Sequence, residues 1–287
     1  MRIQLLLLAL VAFSACKKEI VDQTVPQTGV YVVNEGNFNF GNGDVSVYNP
    51  ATRSITNGLF KLANGYAPGD VLQSMSIQDS LVYLVVNNAQ KIVVAEFPSF
   101  RFIHAIAMPG ASPRYFLKVN DSIAYVSDLY AKKIWLLNYL TRTVVGHIPV
   151  NGWTERMMMV ENTILVQQRI NSLLPGSVGA ILKINPATHS IAQQITFGSQ
   201  NVNDMVADKQ NRIWLALDED TANSQPASIR CMAPDFTTLK QWTFTGSNNH
   251  PSSLAANADS SSVYFYNRHL YYLRLNDTLM PTHPFIH

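Results

Sequence analysis

The chain has 287 residues, 47% of them hydrophobic and 14% charged. That is long enough to bury a large core without covalent staples, and too apolar and too weakly charged for intrinsic disorder. Lys plus Arg total 21 against 19 Asp plus Glu, a net charge of +2, which excludes the concentrated cationic surface of a nucleic-acid binder. Two cysteines, Cys16 and Cys231, exclude a disulfide scaffold and a four-ligand zinc site.

The sequence opens on an address. Arg2 supplies positive charge, Leu5 to Phe13 is an apolar run of nine residues, and Ser14 and Ala15 are small. Nine residues fall well short of the roughly 20 that cross a bilayer as a helix, so the pattern is that of a secretory signal. Cys16 after the small pair resembles the lipobox of bacterial lipoproteins. This implies a signal peptide over 1–15, a lipidated Cys16 with a polar tether over 16–27, and a folded domain over 28–287. The alternative is an ordinary signal peptide with an incidental cysteine. With Cys16 acylated, Cys231 has no partner and is expected as a core thiol in a strand.

From there the sequence repeats. Short apolar runs appear at Val30-Tyr31-Val32, Val82-Tyr83-Leu84, Ala124-Tyr125-Val126, Ile164-Leu165-Val166, Ile213-Trp214-Leu215 and Val263-Tyr264-Phe265, with centres 40 to 52 positions apart. A second run follows each, as in Val45-Ser46-Val47-Tyr48 and Ile181-Leu182-Lys183-Ile184. A turn comes next, and Asn49-Pro50-Ala51-Thr52 recurs as Asn185-Pro186-Ala187-Thr188. Pro presets φ at the second position of a type I turn. No stretch holds a helical period over three turns. Val, Ile, Tyr, Thr and Phe fill the runs, and Gly, Pro, Asn, Asp and Ser fill the gaps, which is strand and turn chemistry.

Repeats of this length with four short strands each predict an all-β fold, a β-propeller of four-stranded antiparallel blades with six repeats visible. A two-sheet sandwich is the competing architecture, but it does not explain a repeated order of motifs. The run at Val30 reads as the second strand of its blade, so the first blade lacks an innermost strand. The last repeat reaches a fourth-strand end near Phe285. The tally suggests a seven-bladed parent, against which this sequence is short at its C-terminus, because an unpaired blade edge is a liability that folded proteins usually cover.

In such blades the turns joining strands one to two and three to four share one face, here called narrow. The connections from strand two to three, and from each blade to the next, share the other, here called wide. The first-to-second turns are tight, as at Gln78-Asp79-Ser80 and Val160-Glu161-Asn162-Thr163. The second-to-third connections include the long segments Asn34 to Asp44, Gln168 to Gly179 and Asp218 to Ser228. Loop length that folding does not require is where binding usually resides. The candidate ligand-binding residues of the wide face are Asn34, Glu35, Asn37, Tyr66, Asn87, Arg114, Tyr115, Asp128, Tyr130, Trp153, Glu155, Arg156, Gln168, Arg169, Asn171, Asp218, His250 and Asn267. Asp70 and Asp204 stand at the same blade junctions. Each carries a competing reading as a loop cap or blade spacer, and the recurrent acid or Arg at Asp70, Arg114, Glu155 and Asp204 is what a structural device would look like. Amides, aromatics and guanidiniums together suit a large polar ligand with ring faces and hydrogen-bonding arms.

Signals for catalysis are weak. There is no HExxH and no G-x-S-x-G elbow, and the glycines of Glu35 to Gly43 lie between two strands with no helix after them, so they are not a phosphate cradle. Asp218 and Asp220 read as solvated loop residues, with a calcium site as the alternative. The expectation is no enzyme, no metal and no cofactor.

Four segments carry a family likeness: Gly29-Val30-Tyr31-Val32-Val33-Asn34-Glu35-Gly36-Asn37, Pro113-Arg114-Tyr115-Phe116, Ala124-Tyr125-Val126-Ser127-Asp128-Leu129-Tyr130 and Gly152-Trp153-Thr154-Glu155. They resemble the YncE-like propeller lipoproteins of Gram-negative cell surfaces and, within them, the BtuG-like group. The resemblance implies a lipid-anchored, surface-exposed outer-membrane protein that captures cobalamin and passes it to a TonB-dependent outer-membrane transporter. It implies a monomer apart from that transporter, with the membrane reached through the lipid alone. A non-catalytic interaction scaffold of the cell envelope and a propeller lyase or lactonase are the alternatives.

Overall fold

A computed structural model describes residues 28–171 and 173–286. Cys16 and the segments 1–15 and 16–27 lie outside the described residues. Among the described residues, twenty-two short strands form six antiparallel sheets, each meandering in sequence order. Blades 2 to 5 have four strands each, and blades 1 and 6 have three. The fold is the expected six-bladed propeller. Blade 1 begins at Val30–Asn34, followed by Asp44–Asn49 and Ser54–Thr56, the second, third and fourth positions as expected. Blade 6 has Ser252–Ala256, Ser262–Asn267 and His269–Arg274. Its fourth position is marked by a single antiparallel bridge, Leu270 to Ile286, with Phe285 packed on Tyr264 and Tyr272.

The strand sequences explain the layering. Second and third strands such as Leu81–Val86 and Lys91–Glu96 are buried on both faces, because the sheets of blades 2 to 5 are each sandwiched between two others. Fourth strands such as Ser190–Thr196 are mostly exposed and rich in Gln, Ser and Thr. Five hydrophobic layers fill the five junctions between successive blades. Tyr83 stacks on Phe116 between blades 2 and 3, with ring centroids 4.2 Å apart, and Trp214 stacks on Trp242 within blade 5 at 5.7 Å. Each buried Val, Leu, Ile or Phe stabilises the fold by about 1.5–3 kcal/mol. Cys231 is fully buried in Ser228–Met232, as expected, and burial pushes its thiol up to about 11.

Two features position the wide face. The first strand of every blade that has one carries a β-bulge at the same place, and these first strands lie against one another around a common axis. A bulge places two residues opposite one and re-aims side chains. The second feature was not expected from sequence: a six-residue helix, α1, over Leu59–Asn64 between blades 1 and 2. It is too short for a detectable period, and its cap is remote. Gly58 precedes it without a capping side chain, and the Asp44 carboxylate instead accepts the Phe60 and Lys61 amides. Asn64 closes the far end, donating to the Phe60 and Phe100 carbonyls and accepting from the Phe102 amide.

Candidate functional site

The bulges build the axial wall. Their residue pairs are Gln73 and Ser74, Arg114 and Tyr115, Glu155 and Arg156, Asn203 and Asp204, and Ser253 and Leu254. Each pair reaches to the pair of the next blade. Gln73 accepts from Arg114, and Arg114 Nε donates to Glu155 at 2.8 Å. Arg156 Nε donates to Asp204 at 2.8 Å, and Asp204 accepts the Leu254 amide at 2.7 Å. Ser74 donates to the Arg114 carbonyl, and Arg156 lies over the Tyr115 ring. Glu35 of blade 1 meets Gln73 at 3.5 Å, and Arg169 meets Asn203 at 3.5 Å.

The charges are held in partly dry surroundings. Burial pushes the Asp204 carboxyl up, against the pull of Arg156 and two backbone amides. Burial also raises the Tyr115 phenol, so this ring stays neutral at physiological pH. The recurrent charged residue at the blade junction is therefore a clasp for Arg114, Glu155 and Asp204, in line with the spacer reading. Asp70 is not their equivalent. It precedes the bulge and braces the Glu35 to Gly43 loop, accepting from Asn88 and from the Asn39 amide. Those bonds, Asn88 first, hold its carboxyl below the usual range.

At the rim of the same face, Tyr130 stands edge-on to Trp153, with centroids 6.2 Å apart and planes at 89°. Trp153 is the register partner of Arg169. The Trp153 Nε1 and Arg169 Nε atoms are buried and carry no hydrogen-bond partner among the described residues. Further round, His250 Nδ1 meets Asp218 at 2.5 Å, and the His250 amide donates to Asn267.

Four candidates are absorbed by the scaffold. Asn87 donates to Ser112 and the Pro113 carbonyl, clasping blades 2 and 3. Asp128, fully buried, accepts from the Ser112, Tyr130 and Ala131 amides and from the Trp135 indole. Gln168 donates to the Val178 carbonyl, and Asn171 accepts from the Leu173 amide. Asn34, Asn37 and Tyr66 lie apart from the axis, around the blade-1 loop and α1. Asp218 and Asp220 have different partners, Asp220 capping the short turn at Asn223 and accepting from Ser199. Among the described residues, no three His, Cys, Asp or Glu side chains gather as a metal site. Sequence reasoning missed Gln73 and Asn203. The signal was there: Gln73, Arg114 and Glu155 follow one another at steps of 41 residues.

This is a six-bladed propeller with a polar, aromatic wide face built on bulged inner strands. The chain belongs to the family described as Domain of unknown function (DUF5074), whose model matches residues 28–278. No curated protein matches the sequence. Among solved structures it is similar to hydrazine synthase of Kuenenia stuttgartiensis, at 12% identity and a TM-score of 0.65, over 81% of this chain and 70% of that one. It is similar to the WD40 β-propeller domain of Doa1, at 12% identity and a TM-score of 0.56, over 74% and 66%. It is also similar to the dihydro-heme d1 dehydrogenase NirN, solved in complex with DHE, at 10% identity and a TM-score of 0.58, over 86% of this chain and 53% of that one. At these identities the likeness is one of fold. Two of the three neighbours are named as enzymes, and one as a WD40 domain.

Proposed function

We propose that this protein is a non-catalytic binding propeller of the cell surface, lipid-anchored at Cys16, whose wide face holds a corrinoid for delivery to a TonB-dependent outer-membrane transporter. One observation carries the reading: the Tyr130–Trp153 pair beside Arg169, with two buried donors that the fold itself leaves unpartnered. A buried donor without an acceptor costs about 1–3 kcal/mol, so such groups mark places where a partner completes the bonding. A corrinoid offers a flat macrocycle for the aromatic surfaces and amide arms whose carbonyls suit guanidinium and indole donors. The binding reading is also favoured by the state of the carboxylates. Glu155 and Asp204 are each tied to an Arg, and the His250–Asp218 pair is joined to no hydroxyl or thiol among the described residues.

Titration calorimetry with cyanocobalamin at micromolar protein tests it. Binding heat should appear, and Trp153→Ala combined with Tyr130→Ala should weaken affinity about 30-fold, the loss of an aromatic hot spot worth about 2 kcal/mol. No heat and no shift in melting temperature removes the corrinoid.

A further inference from the structure

The candidates that fall away from the axis point to a second site. The Glu35 to Gly43 loop, α1 and the segment that follows it enclose a groove of about 650 Å³ in blade 1. Phe40 and Tyr66 line it, 75% and 52% exposed. These rings are not left out through looseness. The Asn37 amide donates to Asn42, the Phe40 amide donates to the Asn37 carbonyl, and Asp70 and Asn88 hold Asn39. Gly36, at φ +77°, sits so close to Gly43 N that a Cβ would be 2.5 Å from it. A braced loop that displays an aromatic ring to solvent is preorganised for contact.

The polar side of the groove has a direction. Asn34 Nδ2 donates to Ser46 Oγ at 2.8 Å, and Ser46 Oγ donates to Asn57 Oδ1 at 2.8 Å. The relay leaves an acceptor, Asn34 Oδ1, at one end and a donor, Asn57 Nδ2, at the other. Neither has a partner among the described residues. Lys61 adds a cation with no acidic side chain within ion-pair distance among the described residues.

We infer that this groove binds a pyranose ring. Each sugar hydroxyl both donates and accepts, so two hydroxyls of one ring match a free acceptor and a free donor at the ends of one relay. The C–H face of a pyranose suits Phe40 and Tyr66. An apolar ligand would leave both amide ends desolvated, and a multiply charged anion would find one cation only. The site is separate from the axial face and stands or falls independently of the corrinoid reading.

Saturation-transfer NMR on the full chain tests it, with the methyl pyranosides of glucose, galactose, mannose and glucuronic acid as probes. At least one should show transfer to its ring protons, in the roughly millimolar range expected of one small polar ring. Preference for the glucuronide would assign Lys61 to a carboxylate, and preference for a neutral sugar would assign it to a hydroxyl. Phe40→Ala, at a largely exposed position, and Asn57→Ala should each weaken transfer about tenfold. Trp153→Ala should leave it unchanged. No transfer from any probe at about 10 mM, equal transfer in both groove variants, or loss in Trp153→Ala would overturn the assignment.

Discussion

The two faces of the propeller use the same residue types in opposite ways. On the narrow face, the Asn that opens the turn between strands three and four satisfies that turn itself. Asn49 accepts from the Ala51 and Thr52 amides, Asn138 from Leu140 and Thr141, and Asn185 from Ala187. Thr52 then meets Ser54, Thr141 meets Thr143, and Thr188 meets Ser190. Partner and residue sit within a few positions, so the sequence repeats almost verbatim. On the wide face the side chains of Gln73, Ser74, Arg114, Glu155, Arg156 and Asn203 find their partners in another blade. Gln73, Arg114 and Glu155 share a position in the architecture but not a residue type, because each answers the one beside it. Sequence repetition thus marks self-contained turns, and variation at a fixed spacing marks contacts between blades.

The largest effect that bears on this difference is expected from Asp128→Ala. Four donors, three of them backbone amides, lose a fully buried acceptor, and the expected loss is about 3–5 kcal/mol in urea unfolding. A loss below about 1 kcal/mol would mean that these donors find other partners and that the wide face is less fixed than drawn.

Next is Arg156→Ala, which strands the buried Asp204. Arg156 is 41% exposed, so about 1–2 kcal/mol is expected after solvent screening. The sign with pH is set by Asp204, whose carboxyl is already raised by burial in the wild type. A folded-state value above the unfolded one favours the protonated acid, so stability falls as pH rises through the window from the ordinary value to the raised one. Without Arg156 that window widens. The deficit of Arg156→Ala should therefore be largest at neutral pH and shrink on acidification, and Asp204→Asn in the same background should recover part of it. Paired urea titrations at neutral and acid pH decide this.

The smallest effects concern additivity. Asn49→Ala and Asn185→Ala should each cost about 0.5–1 kcal/mol, and the double variant should show their sum, because the two turns share no partner. Changes at Arg114 and Glu155 should not add, since either one alone already removes their bond. Additive losses at the axis would remove the distinction between the faces.

The same distinction explains what could be read in advance. The blades were legible because their strands and turns are local: aromatic and β-branched runs, then Asn-Pro-Ala-Thr. Loop lengths singled out the wide face, where Arg114 pairs with Glu155 and Trp153 stands opposite Arg169. The roles of Asn87, Asp128, Gln168 and Asn171 were not separable, because a polar loop residue looks the same whether it faces solvent or a backbone amide from the neighbouring turn. Gln73 and Asn203 were passed over because an amide among strands carries no mark of the bulge beneath it. Helix α1 was invisible for the same reason, its cap being Asp44, 16 and 17 positions upstream of the amides that it serves.

That remote cap ties the blade-1 groove to the maturity of its surroundings. A six-residue helix has no standing of its own in water, and Asp44 reaches the Phe60 and Lys61 amides only once the strand Asp44–Asn49 is paired. One wall of the groove thus depends on the pairing of blade 1, so a blade 1 that has lost that pairing presents no such recess to the outside.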